Sequence, residues 1–414
     1  MGMSPAQDAR LRRRNEVVPT KGVFTTRQMA EIARRHLPRA IFDFVEGGAG
    51  SEIALARNRA RFEEIALLPQ ALRDCSAATS VVTIFGRRYA APFGVAPMGF
   101  ADLIRPGTDR ALARAARERN IPYVLSTAAT TSIETIRDIA QDNLWFQLYP
   151  GSDEATAAAL IDRALKAGVT TLVVTVDIPV PAKRVRDLAN GLAIPLRPSL
   201  RTILDVGRHP AWLMRALFGT RLGMANFIDN RGAMSGLKHA EFVSRQLSCP
   251  ALDWSRIEGI RKAWPHHLVI KGILNPEDAR TAARLGANGI VVSNHGGRQL
   301  DAAPAPIEVL PAIREACGDA LTIILDSGVR TGDDIARSLA RGADFVLMGR
   351  PFLFAVAALG LSDGPKAIID ILRDEFMNTL IHLGCPDPAE LDDSFLWPRR
   401  TGAGILSPRQ EGNR

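Results

Sequence analysis

The sequence predicts an α/β protein: a (β/α)8 barrel with an N-terminal helical prelude and a long insertion after the fourth strand. Three observations carry this reading. Eight short apolar runs (93–97, 123–126, 144–148, 172–175, 268–271, 290–293, 322–326 and 345–348) are each followed by a turn and a helix-like stretch. Their hydrophobicity is continuous rather than alternating, as in strands of a parallel sheet covered on both faces. An internal repeat also recurs, Ala167-Gly168-Val-Thr-Thr-Leu-Val-Val-Thr, Leu285-Gly286-Ala-Asn-Gly-Ile-Val-Val-Ser and Arg341-Gly342-Ala-Asp-Phe-Val-Leu-Met-Gly. In each copy the glycine ends a helix in a left-handed cap and the chain drops into the next strand. An open doubly wound sheet is the alternative arrangement of the same units. No G-x-G-x-x-G opens any of them, which argues against a nicotinamide-binding half.

A chain of 414 residues has room for two or three ordinary domains, but a barrel of this kind routinely uses well over about two hundred residues as one unit. The predicted organisation is one barrel domain over 23–400 between polar tails at 1–22 and 401–414, which are expected to be mobile. The prelude, 24–92, has helical patterning around 27–36 and 42–56, interrupted at Gly47-Gly48. Strand spacing is regular except across 184–253. Within that insertion, residues 191–240 hold seven basic residues (Arg197, Arg201, Arg208, Arg215, Arg221, Arg231, Lys238) against two acids (Asp205, Asp229), interleaved with Trp212, Leu213, Met214, Leu217, Phe218 and Phe227. Basic and apolar side chains together suit a segment in contact with a membrane surface, or a lid. A helical hairpin packed on its own barrel or on a sister subunit is the plainer reading.

Composition excludes more than it selects. The net charge of +8 and a sequence pI of about 9.7 admit an anionic partner, but no RNP, zinc or helix-turn-helix signature points to nucleic acid. Cys75, Cys249, Cys317 and Cys385 are far apart, with no C-x-x-C pair, so neither a metal site nor a disulfide framework is expected. The arginine-rich stretch around Arg12 lacks the apolar core of a secretory signal, and no uncharged run approaches a membrane span. The expected location is cytoplasmic.

In a barrel the reactive groups belong at the C-terminal strand ends. Unusual polar residues recur there: Gln147 and Tyr149, Thr175 and Asp177, Lys271, Ser293 and His295, Asp326 and Arg330, Gly349 and Arg350. Ser293-Asn-His-Gly-Gly-Arg-Gln-Leu-Asp301 is the most informative segment. His295 is a proton acceptor near neutral pH, and three residues later Arg298 offers a planar fork that fits a carboxylate. The pairing implies a small acid as substrate. A polar turn capping the strand, with Arg298 paired to Asp301, is the structural alternative.

From about residue 37 to 385 the chain resembles the FMN-dependent L-2-hydroxy acid oxidases and dehydrogenases, a family that includes glycolate oxidase, L-lactate dehydrogenase and (S)-mandelate dehydrogenase. The likeness rests on the 293–301 motif together with Trp145-Phe-Gln-Leu-Tyr149, Thr175-Val-Asp177, Val269-Ile-Lys-Gly272, Leu325-Asp-Ser-Gly-Val-Arg330 and Met348-Gly-Arg350. The resemblance implies oxidation of an L-2-hydroxy acid to a 2-oxo acid with FMN as cofactor. It makes His295 the base, supported by Asp177, with Arg298 and Arg184 holding the substrate carboxylate and Tyr149 its carboxylate or hydroxyl. Lys271 would stabilise the reduced flavin; Ser126, Gln147 and Thr175 would bond the isoalloxazine edge; and Pro97, Met98 and Gly99 would flank the ring. Ser293 and Asp326 complete the cofactor contacts, with Gly328, Arg330, Gly349 and Arg350 at the phosphate. Relatives are often tetramers.

Two positions depart from the family pattern in ways that bear on substrate. Phe44 stands where a tyrosine is usual, removing one hydroxyl from the carboxylate site. Ala128 stands where a glycolate-oxidase-like chain has tryptophan, and with Gly99 it leaves room for an aromatic or branched substrate such as mandelate. The 209–227 segment looks like the mandelate dehydrogenase version of the insertion, which associates with membrane, so peripheral contact at the inner face of the cell membrane is also expected. The electron acceptor would be a quinone, a cytochrome or O2. An L-lactate dehydrogenase, an oxygen-using oxidase and an FMN-binding barrel without hydroxy acid chemistry are the alternatives.

Overall fold

The structure, a computed structural model, describes residues 22–191, 199–219, 223–227 and 246–397. The predicted tails, residue 22 apart, and Arg197, Arg221, Asp229, Arg231 and Lys238 of the insertion lie outside the described residues. Strands β1 (Val82–Ile84) and β2 (Arg87–Tyr89) form an antiparallel hairpin. The barrel strands are β3 (Phe93–Val95), β4 (Tyr123–Ser126), β5 (Leu144–Leu148), β6 (Thr171–Thr175), β7 (His267–Ile273), β8 (Gly289–Val292), β9 (Thr322–Leu325) and β10 (Phe345–Met348). All eight predicted strands are present, and parallel pairing of β10 with β3 closes the ring, which excludes the open sheet.

The pleat explains where the polar residues go. Ala96, Val124, Trp145, Val173, Val269, Val291, Ile324, Phe345 and Leu347 form one apolar cluster with Ile84 and Tyr89 of the hairpin. Side chains two positions apart on a strand point the same way. Ser126, Gln147, Thr175, Lys271, Ser293, Asp326 and Gly349 therefore share the inward register, one step nearer the C-terminal mouth. The barrel interior is apolar below and polar above. The β1–β2 hairpin closes the lower end, where Trp145 Nε1 donates to the Tyr89 hydroxyl at 3.2 Å. The sequence reading did not anticipate this hairpin, whose strands are only three residues each.

The prelude is helical as predicted. Helix Thr26–His36 opens with a capping box: Thr25 Oγ1 accepts from the Gln28 amide N–H, and Gln28 Oε1 accepts from the Thr25 amide N–H. Helix Arg39–Glu46 stops at Gly47, and helix Ile53–Glu63 follows an irregular turn. Asp301 accepts from the amide N–H groups of Ser51 and Ala54 at the start of that last helix. Helix Arg350–Leu383 is long and apolar enough to cross a membrane by length and composition. It packs instead against the barrel and the first prelude helix, and it is broken at Gly360, where φ is 87°.

The described part of the insertion holds helices Val185–Ala189, Leu200–Gly207 and Pro210–Phe218. Its inner side is anchored. Trp212 Nε1 donates to the Leu103 carbonyl at 2.9 Å, and Met224, Asn226 and Phe227 are buried. Its outer side is apolar and exposed, with Leu200 at 79%, Leu204 at 66%, Leu217 at 65% and Phe218 at 80% relative exposure.

Candidate active site

His295 follows β8 with φ of 58°, and Gly296 and Gly297 continue in the same left-handed region. This tight turn folds the imidazole back over the barrel mouth. Nδ1 lies 3.0 Å from Asp177 Oδ1 and 3.2 Å from Oδ2. An ionised carboxylate only accepts, so Nδ1 carries the proton and Nε2 is the basic nitrogen. Burial opposes the Asp177 charge, yet its interaction with His295 and the charge of Lys271 hold it below the ordinary aspartate range. Gly272, with φ of 108°, makes this approach possible, because a Cβ there would meet Asp177 Cβ at 2.6 Å.

Lys271 is buried and makes two contacts, to Asp326 Oδ2 at 2.9 Å and Ser293 Oγ at 2.7 Å. Burial would strip its charge, but Asp326 and Asp177 outweigh that and raise its pKa. The site thus keeps one fixed cation between two carboxylates.

Arg298 does not pair with Asp301. Its Nη1 donates to the carbonyls of Phe44 (2.8 Å) and Gly47 (2.9 Å), and its guanidinium carbon lies 5.3 Å from the Phe44 ring centre. Burial and then the charge of Arg184 push its pKa down to about 9. Arg184 Nη1 lies 3.4 Å from Asp187 Oδ2. Burial and the Asp177 charge raise the pKa of Tyr149, against the opposing charges of Arg184 and Arg298. These shifts place Tyr149, Asp177, Arg184 and Arg298 in one electrostatic neighbourhood. Two guanidiniums that disfavour each other form a receptor for an anion.

A second cationic group lies beyond β9 and β10. Burial pushes Arg330 down to about 10, helped by Arg59, and pushes Arg350 well down, helped by Arg330 and Arg298. Arg350 donates to the carbonyls of Val45, Gly296 and Gly47, at 2.9, 3.0 and 2.9 Å. It therefore ties the prelude to the His295 turn. Arg59 contacts Asp334 Oδ2 at 2.7 Å and the Gly328 carbonyl, holding the loop that carries Arg330.

The residues present suit a flavin. Gln147 Oε1 accepts from Ser126 Oγ at 3.0 Å and from the Thr127 amide N–H at 3.3 Å. That fixes the amide and leaves Nε2, buried, with no hydrogen-bond partner among the described residues. Thr175 Oγ1 is in the same condition. Buried polar atoms are rarely left unpaired, and both lie on the inward register that also carries Lys271, with Thr175 directly paired to Lys271 across β6 and β7. Their donor and acceptor character fits the heteroatom edge of an isoalloxazine, and the Arg330 loop offers positive charge for a phosphate. Across the mouth, Gly99 faces Ala128: a Cβ on Gly99 would lie 3.0 Å from Ala128 Cβ.

The sequence reading missed several supporting residues. Asn226 Nδ2 lies 3.4 Å from the carbonyls of both Ser126 and Thr127, pinning the insertion to the end of β4. Asn58 and Asn294 exchange hydrogen bonds of 2.9 and 2.7 Å that join the prelude to the His295 turn. Asn294 lay inside the motif, whereas nothing local distinguishes Asn58 or Asn226.

A closed parallel barrel with a histidine–carboxylate pair, a buried lysine and paired arginines at its mouth belongs to the class of flavin-dependent barrel oxidoreductases. The chain belongs to the FMN-dependent dehydrogenase family, whose sequence profile matches residues 33–398. It is 39% identical to an L-lactate dehydrogenase of Caulobacter vibrioides (strain NA1000 / CB15N) over 383 residues, covering 92% of this chain and all of that one. It is 36% identical to an (S)-mandelate dehydrogenase of Pseudomonas putida over 377 residues, covering 91% and 94%. Among solved structures it resembles the monotopic membrane protein (S)-mandelate dehydrogenase, with a TM-score of 0.86, 36% identity and coverage of 91% and 99%. The protein is an oxidoreductase acting on a 2-hydroxy acid, with FMN as its cofactor.

Proposed function

We propose that this enzyme oxidises a bulky or aromatic L-2-hydroxy acid such as (S)-mandelate and delivers the electrons to a membrane respiratory acceptor. The observation that carries the chemistry is the His295–Asp177 pair set beside Arg298 and Arg184 on the barrel mouth. Arg298 and Arg184 hold the substrate carboxylate, with Tyr149 beside them. That fixes the hydroxyl-bearing carbon near His295. Conversion of the hydroxy acid to the oxo acid removes two electrons and two protons. His295 takes one proton at Nε2, and Asp177 stabilises the resulting imidazolium. FMN, when bound, would take up the two electrons and the second proton. Lys271 would supply positive charge for its reduced form; Ser126, Gln147, Thr175 and Ser293 would bond it, the backbone from Pro97 to Gly99 would flank it, Asp326 would take its ribityl hydroxyls, and Gly328, Arg330, Gly349 and the N–H groups of Arg350 not spent on carbonyls would hold its phosphate.

The substrate reading rests on the small side chains of Gly99 and Ala128, at positions that the family resemblance puts beside the substrate side chain. The acceptor reading rests on the insertion, where exposed Leu200, Ile203, Leu204, Met214, Leu217 and Phe218 are accompanied by exposed Arg201, Arg208 and Arg215. Apolar side chains ringed by arginines suit an anionic bilayer surface. Likeness to a monotopic (S)-mandelate dehydrogenase supports both readings. Likeness to L-lactate dehydrogenases makes lactate the competing substrate.

The deciding experiment follows flavin absorption anaerobically after adding (S)-mandelate or, separately, L-lactate. Rapid bleaching by mandelate and slow bleaching by lactate is the expected result; the reverse order makes the enzyme a lactate dehydrogenase. Peroxide formation in aerated buffer at the rate of substrate turnover would make it an oxidase. Sedimentation with anionic vesicles, lost in a Leu204→Ser/Leu217→Ser/Phe218→Ser variant, tests the membrane contact.

A further inference from the structure

The end of prelude helix Arg39–Glu46 holds both arms of the arginine pair. Arg298 is fixed directly by the carbonyls of Phe44 and Gly47, which lie at the negative end of that helix. Arg184 is fixed indirectly. Two residues beyond it, Arg186 Nη1 lies 3.3 Å from Glu46 Oε2 and 3.6 Å from Asp43 Oδ1, and Nη2 bonds Glu52 Oε2. Asn190, just past the same short helix Val185–Ala189, donates Nδ2 to Asp43 Oδ2 at 2.8 Å. On the other side of Arg184, the Lys183 carbonyl accepts from the Gly50 amide N–H at 2.9 Å. The Arg184 segment is thus stapled to the prelude before and after the arginine.

Three carboxylates meet at Arg186, and two of them have another cation: Arg34 Nη2 lies 3.1 Å from Glu46 Oε2, and Arg39 Nε lies 3.4 Å from Asp43 Oδ2. Arg186 is the group that touches all three. Removing it takes the shared cation from Asp43, Glu46 and Glu52 and leaves the segment bearing Arg184 held by the Asn190–Asp43 and Gly50–Lys183 bonds. That segment is under load already, because Arg184 and Arg298 carry like charges close enough for one to lower the pKa of the other. Asp187, 3.4 Å from Arg184 and acting on both arginines, offsets part of that repulsion, and the ion pairs of Arg186 hold the segment that carries Arg184 and Asp187 against the prelude.

We infer that Arg186 is a positioning residue for the carboxylate clamp: its ion pairs with Glu52, Glu46 and Asp43 set where Arg184 stands relative to Arg298. This rests on the reading of Arg184 and Arg298 as the clamp. Arg186 touches neither the base nor the residues assigned to the flavin. Its loss therefore acts on the binding of the hydroxy acid and spares flavin retention.

The test compares Arg186→Ala, Arg186→Lys, Glu52→Gln and Arg184→Ala as FMN-loaded full-length proteins, with (S)-mandelate and L-lactate each titrated in the reductive half-reaction. Arg186→Ala is expected to raise the half-saturating concentration about tenfold, with the limiting rate within about threefold and the flavin-to-protein ratio unchanged. Arg186→Lys recovers part of that loss, since a point charge replaces the fork imperfectly. Glu52→Gln shifts saturation the same way by about threefold, and it serves if Arg186→Ala fails to fold. Unchanged saturation in Arg186→Ala and Glu52→Gln, with a large shift in Arg184→Ala, overturns the role of Arg186 and leaves the clamp intact. Unchanged saturation in Arg184→Ala overturns the clamp itself. Loss of flavin together with the limiting rate in both Arg186→Ala and Glu52→Gln would make the ion pairs a fold element, which also overturns the inference.

Discussion

Arg298 rests on Phe44 twice over, with its Nη1 proton on the Phe44 carbonyl at 2.8 Å and its guanidinium carbon 5.3 Å from the centre of the Phe44 ring. The backbone contact is independent of the side chain, and the ring contact is a cation–π arrangement that a tyrosine also provides. Phe44→Tyr is therefore expected to keep Arg298 in place while adding a hydroxyl near the carboxylate it holds. One such hydrogen bond is worth about 1 kcal/mol, so half-saturation by the hydroxy acid should fall about fivefold. The limiting rate of flavin reduction should stay within about twofold. Unchanged saturation would place residue 44 away from the carboxylate.

Asp177 and His295 form the pair to which the proposed mechanism assigns proton abstraction. Asp177→Asn keeps an oxygen for Nδ1–H but removes the charge that favours the imidazolium. The rate of flavin reduction should fall by about ten- to a hundredfold, whereas His295→Ala should cost about a hundredfold or more. Both variants should stay yellow. Single-turnover reduction measures this directly, and an undiminished rate in His295→Ala would assign the base elsewhere.

Thr175 offers a test of the cofactor site that does not depend on turnover. Its buried Oγ1 has no protein partner among the described residues, and an unsatisfied buried hydroxyl costs about 1–3 kcal/mol. Thr175→Val preserves shape and removes that atom. The flavin-free variant should melt higher than flavin-free wild type, while its FMN dissociation constant rises about fivefold. The two shifts have opposite sign. A variant less stable in both forms would mean that Thr175 serves the protein rather than the flavin.

The barrel was legible in the sequence because its signal is local. The strands are short apolar runs, several preceded by a glycine-capped helix end, and many of the candidate residues lie at the end of a run or within two positions of it. The pleat then does the rest: Val173 inside forces Thr175 inside, and Val269 forces Lys271. What was not legible depends on contacts distant in the chain. The Asn58–Asn294 exchange spans 236 residues, and the β1–β2 hairpin is too short to show a pattern. Arg350, which the resemblance puts at the phosphate, also donates to three carbonyls of the prelude and the His295 turn. No property of an arginine in sequence reveals which oxygens it will meet. In the insertion Trp212 and Asn226 anchor one side on the barrel, as the packed-hairpin reading expects, while Leu204, Leu217 and Phe218 are exposed on the other.

Ala128 tests the substrate assignment from the opposite direction to Phe44. Its Cβ lies 3.0 Å from where a Cβ on Gly99 would stand, so a larger side chain at 128 cannot extend that way and, on the proposed reading, takes the space of the substrate side chain. Ala128→Trp should reduce (S)-mandelate oxidation at least about a hundredfold relative to that of L-lactate or glycolate, since overpacking costs about 1–3 kcal/mol or more. Comparing kcat/KM for the three acids measures the shift. An equal loss for all three would mean that residue 128 does not face the side chain of the substrate.

Glu375, on the long helix Arg350–Leu383, gives a prediction about stability. Its Oε2 accepts from the Gly332 amide N–H at 2.8 Å. Burial, reinforced by the charges of Asp333 and Asp334, pushes its pKa up to about 7. A carboxyl whose pKa is raised on folding binds its proton more tightly in the folded state. Its stabilising contribution is therefore complete below the ordinary glutamate pKa of about 4.3 and is lost as pH rises through about 7. Glu375→Gln keeps an oxygen for Gly332 and mimics the protonated form at every pH. The variant should match wild type near pH 4.5 and exceed it at pH 8.5, by about 3 kcal/mol at most. Thermal midpoints measured across that range for both proteins test this. A difference that does not grow with pH would show that the Glu375 carboxyl ionises freely in the folded protein.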